Sequence, residues 1–219
     1  TAVSDPVALE RFEREARVVA RLHTEHVARV LDFGTLPSGQ PYLVMERLSG
    51  HDLGEARGLP VTEIVDAVLG ACDAIAEAHA LGVVHRDLKP SNLFLAEQPD
   101  RTTLVKVLDF GIAKALDVTS GITASGTIIG TPAYMSPEQC RGAGGVDHRS
   151  DIYALGIIFY ELLTRKLPGR RSPMPSQINP AIPPGIDDIF DRMTRDARGE
   201  RYASVDDNTP ACGAMGTPA

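Results

Sequence analysis

The sequence predicts an α+β fold, and three observations carry that prediction. Leu9, Phe12, Ala16, Val19 and Leu22 fall at helical spacing, while Glu10, Arg11, Glu13, Arg14 and Arg17 lie mostly off that stripe. Short apolar runs at 27–33, 42–45, 93–95 and 104–108, each bounded by polar or turn residues, read as strands. Residues 152–163 are almost wholly apolar, and a helix hydrophobic all round belongs at the centre of a domain.

Each element has a local cause. Ser4 or Asp5 before Pro6 offers a capping side chain and then a proline at the first helical position, so a helix is expected over 7–22. His23-Thr24-Glu25-His26 reads as the loop that follows, since two histidines without a third ligand nearby do not make a metal site. Pro37-Ser38-Gly39 is a turn joining the first two strands. After the break at Gly58-Leu59-Pro60, a helix is expected over 62–80, with Thr62 as its cap. Ile64, Val65, Val68, Leu69, Cys72, Ile75 and Ala76 form its broad apolar face, which makes Cys72 a small core residue. The short apolar run Val83-Val84 is also read as a buried strand. Residues 111–135, rich in Thr, Ser, Gly and Ile, are expected to form a mobile loop. The proline-rich stretch 167–187 leaves little room for helix, and 208–219 reads as a flexible tail.

Bulk properties narrow the class. A chain of 219 residues with 43% hydrophobic content can bury a sizeable core. The net charge of -7 argues against non-specific binding to nucleic acid or anionic membrane. Cys72, Cys140 and Cys212 are widely spaced and show neither a disulfide framework nor a zinc pattern, so a reducing cytoplasm is expected. No apolar run reaches membrane-spanning length, and no signal peptide is seen.

The chemistry concentrates in one stretch, His85-Arg86-Asp87-Leu88-Lys89-Pro90-Ser91-Asn92, followed by Asp109-Phe110-Gly111. This pattern resembles the protein kinase family, whose catalytic loop is H-R-D-L-x-x-x-N and whose metal loop is D-F-G. Lys89, two residues after Asp87, is similar to the Ser/Thr branch, and Asp-Phe-Gly-Ile-Ala-Lys and Ser-Pro-Glu-Gln resemble its bacterial members. The resemblance implies a two-lobed α+β fold with a mainly helical C-lobe at 49–205, a partial N-lobe at 1–48 and a tail at 206–219. It implies transfer of the ATP γ-phosphoryl group to Ser or Thr of protein substrates, with Mg2+. Such catalysis is mostly positioning and charge neutralisation. By resemblance, Asp87 accepts or orients the substrate proton, Lys89 neutralises the transferring group, and Asn92 and Asp109 hold magnesium. Arg11-Phe12 and Glu15-Ala16 resemble the helix whose Glu pairs with the ATP lysine. Met45 resembles the gatekeeper, Glu46-Arg47-Leu48 the adenine-binding hinge, Asp52 a ribose contact and Phe94 the adenine floor. Residues 111–135 resemble the activation segment, with Thr123, Ser125 and Thr127 as phosphorylation candidates, Arg86 as the cation for that phosphate and Thr131 beside Asp87 and Lys89. Kinase–kinase contact is the implied route to that modification. Asp151 is implied to bond the catalytic-loop backbone, and Glu138 to pair with Arg201.

The resemblance spans about residues 7–202 and departs from the family at its start. No G-x-G-x-x-G-x-V loop and no V-A-I-K lysine is present, the first glycine being Gly34, and Lys106 and Lys114 are poorly placed as substitutes. These residues alone are therefore expected to be inactive or very weakly active, and only marginally stable. A non-catalytic kinase-like module that binds or regulates partners is the alternative. A small-molecule kinase is a third, opposed by the Gly-Thr-Pro-Ala-Tyr and Ser-Pro-Glu segments.

Overall fold

A computed structural model describes residues 6–110, 132–142, 145–169 and 171–207. The first helix, α1 (Pro6–Val19), buries Ala8, Phe12, Ala16 and Val19 on one stripe and leaves Leu9 half-buried. It ends earlier than the expected Leu22. Arg21 and Leu22 donate to Val18 and Val19 in a tightened last turn, and Leu22 still packs on the core.

Strands β1 (Val30–Thr35) and β2 (Pro41–Met45) pair antiparallel, and Phe33 and Leu43, opposite each other, both pack on the core. In the turn between them Gly39 takes φ +83, a conformation that asks for glycine. The expected start of the first strand at Val27 is corrected. Val27 bridges Val107, the Ala28 N–H donates to the Val107 carbonyl, and the Val107 N–H donates to the His26 carbonyl. Residues 26–28 thus spend their backbone groups on another sheet before β1 begins.

That second sheet has the order β3 (Gly50–Asp52), β4 (Leu93–Glu97), β5 (Thr103–Val107), antiparallel throughout. Its register places Asp52 opposite Phe94 and Phe94 opposite Lys106, one row across three strands. Between β3 and β4 runs α2 (Val61–Ala80). Thr62 does not cap it: Pro60 holds the cap position in an extended conformation, and its carbonyl accepts the Ile64 N–H. Of the predicted apolar face, Ile64, Val65, Val68, Cys72 and Ile75 are buried, and Leu69 and Ala76 are half-buried against the core. Val83-Val84 form no strand: the Val83 N–H donates to the Ala78 carbonyl at the end of α2, and the backbone groups of residues 85–87 are claimed by side chains described below.

The centre of the larger part is α4 (Arg149–Thr164), which packs on α2. Only Tyr153 and Glu161 of its segment 150–164 are not buried, as an all-apolar helix requires. Gly156 lets the last long helix, α6 (Gly185–Met193), approach closely, since a Cβ there would lie 2.8 Å from the Met193 Cβ. Single turns α3 (Pro137–Cys140) and α5 (Pro175–Ile178) are the other α-helices among the described residues; within the proline-rich stretch 167–187 the described helix is α5 and the first turn of α6, which begins at Gly185.

Candidate active site

The stretch His85–Asn92 follows α2 after a short connection, residues 81–84. His85, fully buried, donates from Nε2 to the Leu108 carbonyl (2.9 Å) and accepts the Asp87 N–H at Nδ1 (3.3 Å). Those two partners together select the Nε2–H tautomer. Burial is the main cause that pulls the His85 pKa down, with the Asp151 charge opposing it, so the ring is neutral. Its face meets Phe110, centroids 4.9 Å apart. The Leu108 N–H also donates to the Asn92 carbonyl (2.9 Å), so the loop carrying Asp87 and the strand leading to Asp109 are bonded to each other at two points.

Within the loop, Lys89 Nζ lies 3.2 Å from Asp87 Oδ2, and Asn92 Nδ2 donates to the Asp87 carbonyl (2.9 Å). That bond leaves the amide oxygen of Asn92 as the side-chain atom that could hold a metal ion. Asp109 is exposed, and the Phe110 ring beside it is buried. A single carboxylate and an amide oxygen suit magnesium, which shares its coordination with water and substrate phosphate. No cluster of three or more His, Cys, Asp or Glu residues exists among the described residues, so a dedicated protein cage is not the arrangement there.

Two non-glycine residues of the site take left-handed conformations, Arg86 at φ 64 and Asp109 at φ 52. Such conformations cost on the order of 1–3 kcal/mol each and persist where the surroundings hold them. Asp151, 1% exposed, holds the first: Oδ2 accepts the His85 N–H and Oδ1 the Arg86 N–H, both at 2.8 Å. Gln139 Nε2 donates to the Arg86 carbonyl (3.0 Å) from the other side. His79 Nε2 lies a further 2.8 Å from Asp151 Oδ2. An Asp151→Asn variant turns an amide N–H2 toward buried donors and is expected to lose about 2–3 kcal/mol of unfolding free energy. Urea denaturation measures it, and an unchanged midpoint would remove Asp151 from this role.

Glu138 and Arg201 form a bidentate pair at 2.7 and 2.9 Å, and the Ser150 hydroxyl donates to the same carboxylate. Arg201 also reaches the carbonyls of Arg195, Arg149 and Asp196.

Met45 is half-buried at the end of β2 and lines a cleft with Val30, Leu43, Val107, Asp109 and Phe110. Leu48 and Phe94 are half-buried. Asp52 uses Oδ1 to accept the Glu55 N–H (3.0 Å), so one carboxylate oxygen is committed to the turn after β3. Glu46 accepts the Arg29 N–H (2.9 Å) and Lys106 Nζ (2.7 Å). Glu15 is half-buried on α1, and burial raises its carboxyl pKa against the opposing charges of Arg86, Arg11 and Arg14. Thr123, Ser125, Thr127 and Thr131 lie outside the described residues.

Four contributors were not singled out from sequence for the roles they have here: His79, His85, Gln139 and Lys106. His79 had a readable signal, a polar residue one step beyond Ala78 on the buried face of α2. The others bond to backbone groups or to residues far away in sequence.

Comparison with known proteins agrees with this geometry. Residues 2–197 match the family model for the protein kinase domain. Serine/threonine-protein kinase Pkn1 of Myxococcus xanthus is 41% identical over 216 residues, covering 91% of this chain and 31% of that relative. PknL of Mycobacterium tuberculosis is 37% identical over 219 residues, covering 92% of the chain and 53% of the relative. The chain thus spans between about a third and a half of the length of these two. The crystal structure of the M. tuberculosis PknI kinase domain superposes with a TM-score of 0.74 at 28% identity, over 97% of this chain and 81% of that one. The family model and these relatives show that this chain, with its α+β two-lobed framework, belongs to the protein kinase family as a bacterial-type Ser/Thr kinase domain.

Proposed function

We propose that these residues carry the substrate-side and metal-side machinery of an enzyme that moves the γ-phosphoryl group of ATP to Ser or Thr hydroxyls of proteins. The observation behind this reading is the double bonding of the two loops through Leu108, which holds the Asp87 carboxylate and the Asp109 carboxylate in one frame. Asp87 takes or orients the hydroxyl proton, and Lys89 stabilises charge on the transferring group. Asn92 and Asp109 would hold Mg2+, which supplies charge neutralisation at the phosphates when bound. The adenine would lie between Met45, the hinge 46–48 and the Phe94 ring, with Asp52 near the ribose. Arg86 would bind a phosphate on Thr123, Ser125 or Thr127, placed there by a second kinase molecule, while Thr131 would sit near Asp87. Glu15 would orient a lysine that these 219 residues do not include.

That lysine and a glycine-rich loop are both missing ahead of Glu15, so these residues alone are expected to transfer phosphate very weakly. The second reading is a kinase-like binding module. An in-frame read of the gene upstream of Thr1, followed by a transfer assay with labelled ATP, a Ser/Thr-containing protein and Mg2+, separates them. A glycine-rich loop and strand-borne lysine with strong transfer to Ser or Thr supports the enzyme. A start codon or unrelated sequence there, with nothing transferred, supports the module.

A further inference from the structure

Lys106 occupies a position that the catalytic reading does not use. It is the third member of the row Asp52, Phe94, Lys106 across β3, β4 and β5, and residues paired directly in a ladder share one face of the sheet. Its ammonium, however, is spent across the site. Nζ lies 2.7 Å from Glu46 Oε1 and 3.4 Å from the Val27 carbonyl. The same Glu46 oxygen accepts the Arg29 N–H (2.9 Å), and the Glu46 N–H donates to the Arg29 carbonyl (2.9 Å). The lysine side chain is 12% exposed and the glutamate 30%, so water screens the pair only in part. Burial opposes ionisation of Glu46, but the Lys106 ammonium and the Arg29 amide outweigh it and hold the carboxyl pKa below its ordinary value. A bound strand, the segment entering β1 and the first hinge residue therefore meet at one charged node.

We propose that Lys106 is a positioning residue for Mg·ATP, which sets the distance between the adenine-binding hinge and the metal-binding Asp109. This rests on the nucleotide reading of the site given above. The geometry supplies two stiff links in series. One is the end of β5, which runs from Lys106 through Val107 into Asp109. The other is the hydrogen-bonded pair from Lys106 to Glu46, the residue that opens the hinge. ATP must satisfy both ends at once, so its affinity depends on their spacing as any bivalent ligand's does on the span between its sites. Adenosine would touch the hinge, the Phe94 floor and Asp52 but carries no phosphate to link it to Asp109, so its affinity should not depend on that spacing.

This difference gives a test that simple loss of structure cannot imitate. Binding of ATP with Mg2+, and of adenosine, would be titrated calorimetrically on the full chain for wild type, Lys106→Met and Lys106→Arg. Lys106→Met is expected to weaken Mg·ATP about 10-fold while adenosine changes less than about 2-fold, and Lys106→Arg, which keeps the cation, retains most of the ATP affinity. Hydrogen exchange at the Arg29 and Glu46 amides would be followed in parallel, with faster exchange expected in Lys106→Met and none in the interior of α2. Equal loss for both ligands, unchanged ATP affinity, or unchanged exchange at residues 29 and 46 overturns the positioning role. Wild type that binds neither ligand overturns the nucleotide reading itself, and the role of Lys106 in it. Wild type that binds ATP normally beside an unaltered Lys106→Met overturns the role of Lys106 alone.

Discussion

Asp87→Asn is expected to lower phosphoryl transfer about 1,000-fold, within the 100- to 10,000-fold range typical of a positioned proton acceptor. It should leave Mg·ATP affinity and thermal stability nearly unchanged. The measurement is the initial transfer rate in a polypeptide that joins these residues to a glycine-rich loop and its lysine. The expectation that folding survives comes from what holds the loop. Asn92 Nδ2 bonds to the Asp87 backbone carbonyl and the Asp87 N–H bonds to His85 Nδ1, and neither bond uses the carboxylate. Removing the charge does release Lys89, whose Nζ lies 3.2 Å from Oδ2. Both side chains are partly exposed, at 30% and 23%, so that pair contributes at most about 1 kcal/mol to stability. A loss of less than about 10-fold would remove Asp87 from proton handling, and a large fall in melting temperature would make any rate loss a folding effect.

How much of this was legible before the structure depends on where each residue's partner lies. Asp87, Lys89, Asn92 and Asp109 could be singled out because they stand in two short motifs, and the structure bonds those two motifs to each other through Leu108. The pairing of Glu138 with Arg201, and of Asp151 with the loop backbone, came from resemblance and is found in the structure as hydrogen bonds. Periodicity found the buried faces of α1, α2 and α4, because amphipathic or all-apolar helices announce those faces over many residues, but it overran the end of α1 by three residues. It failed at Val27, whose neighbours bond to Val107 and not to β2, and at Val83-Val84, which are only half-buried and lead into a loop held by Asp151. It also failed at Thr62, where Pro60 already occupies the cap. In each case a long-range backbone contact or a neighbouring proline overrode local preference. Lys106 illustrates the remaining limit: its partner is 60 residues away, and only the folded chain brings Glu46 to it.

The pair Glu138–Arg201 should dominate the acid stability of the fold. Burial pushes the Glu138 carboxyl pKa up, but the Arg201 guanidinium, a backbone hydrogen bond and the Ser150 hydroxyl outweigh it and hold the value at about 2, against an ordinary 4.5. A folded value below the unfolded one means that the unfolded chain takes up the proton first. The stabilisation is therefore complete above about 4.5 and is lost progressively as pH falls from there toward 2. The shift corresponds to roughly 3 kcal/mol. His85 adds a loss of the same sign at milder acidity, since its lowered pKa means that the unfolded chain binds that proton first as pH falls below 6.5. Urea midpoints measured from pH 7 to pH 3 should thus fall in two stages. Glu138→Gln should flatten the lower stage and leave the upper one in place. Glu138→Ala is expected to cost about 3–5 kcal/mol at pH 7, because it strands a guanidinium that is otherwise buried and fully bonded. Arg201→Lys should recover little of that function, since an ammonium cannot match the two parallel carboxylate bonds and the three carbonyls that Arg201 reaches. A lower stage that survives in Glu138→Gln would transfer the acid sensitivity to other carboxylates and leave this pair a minor contributor.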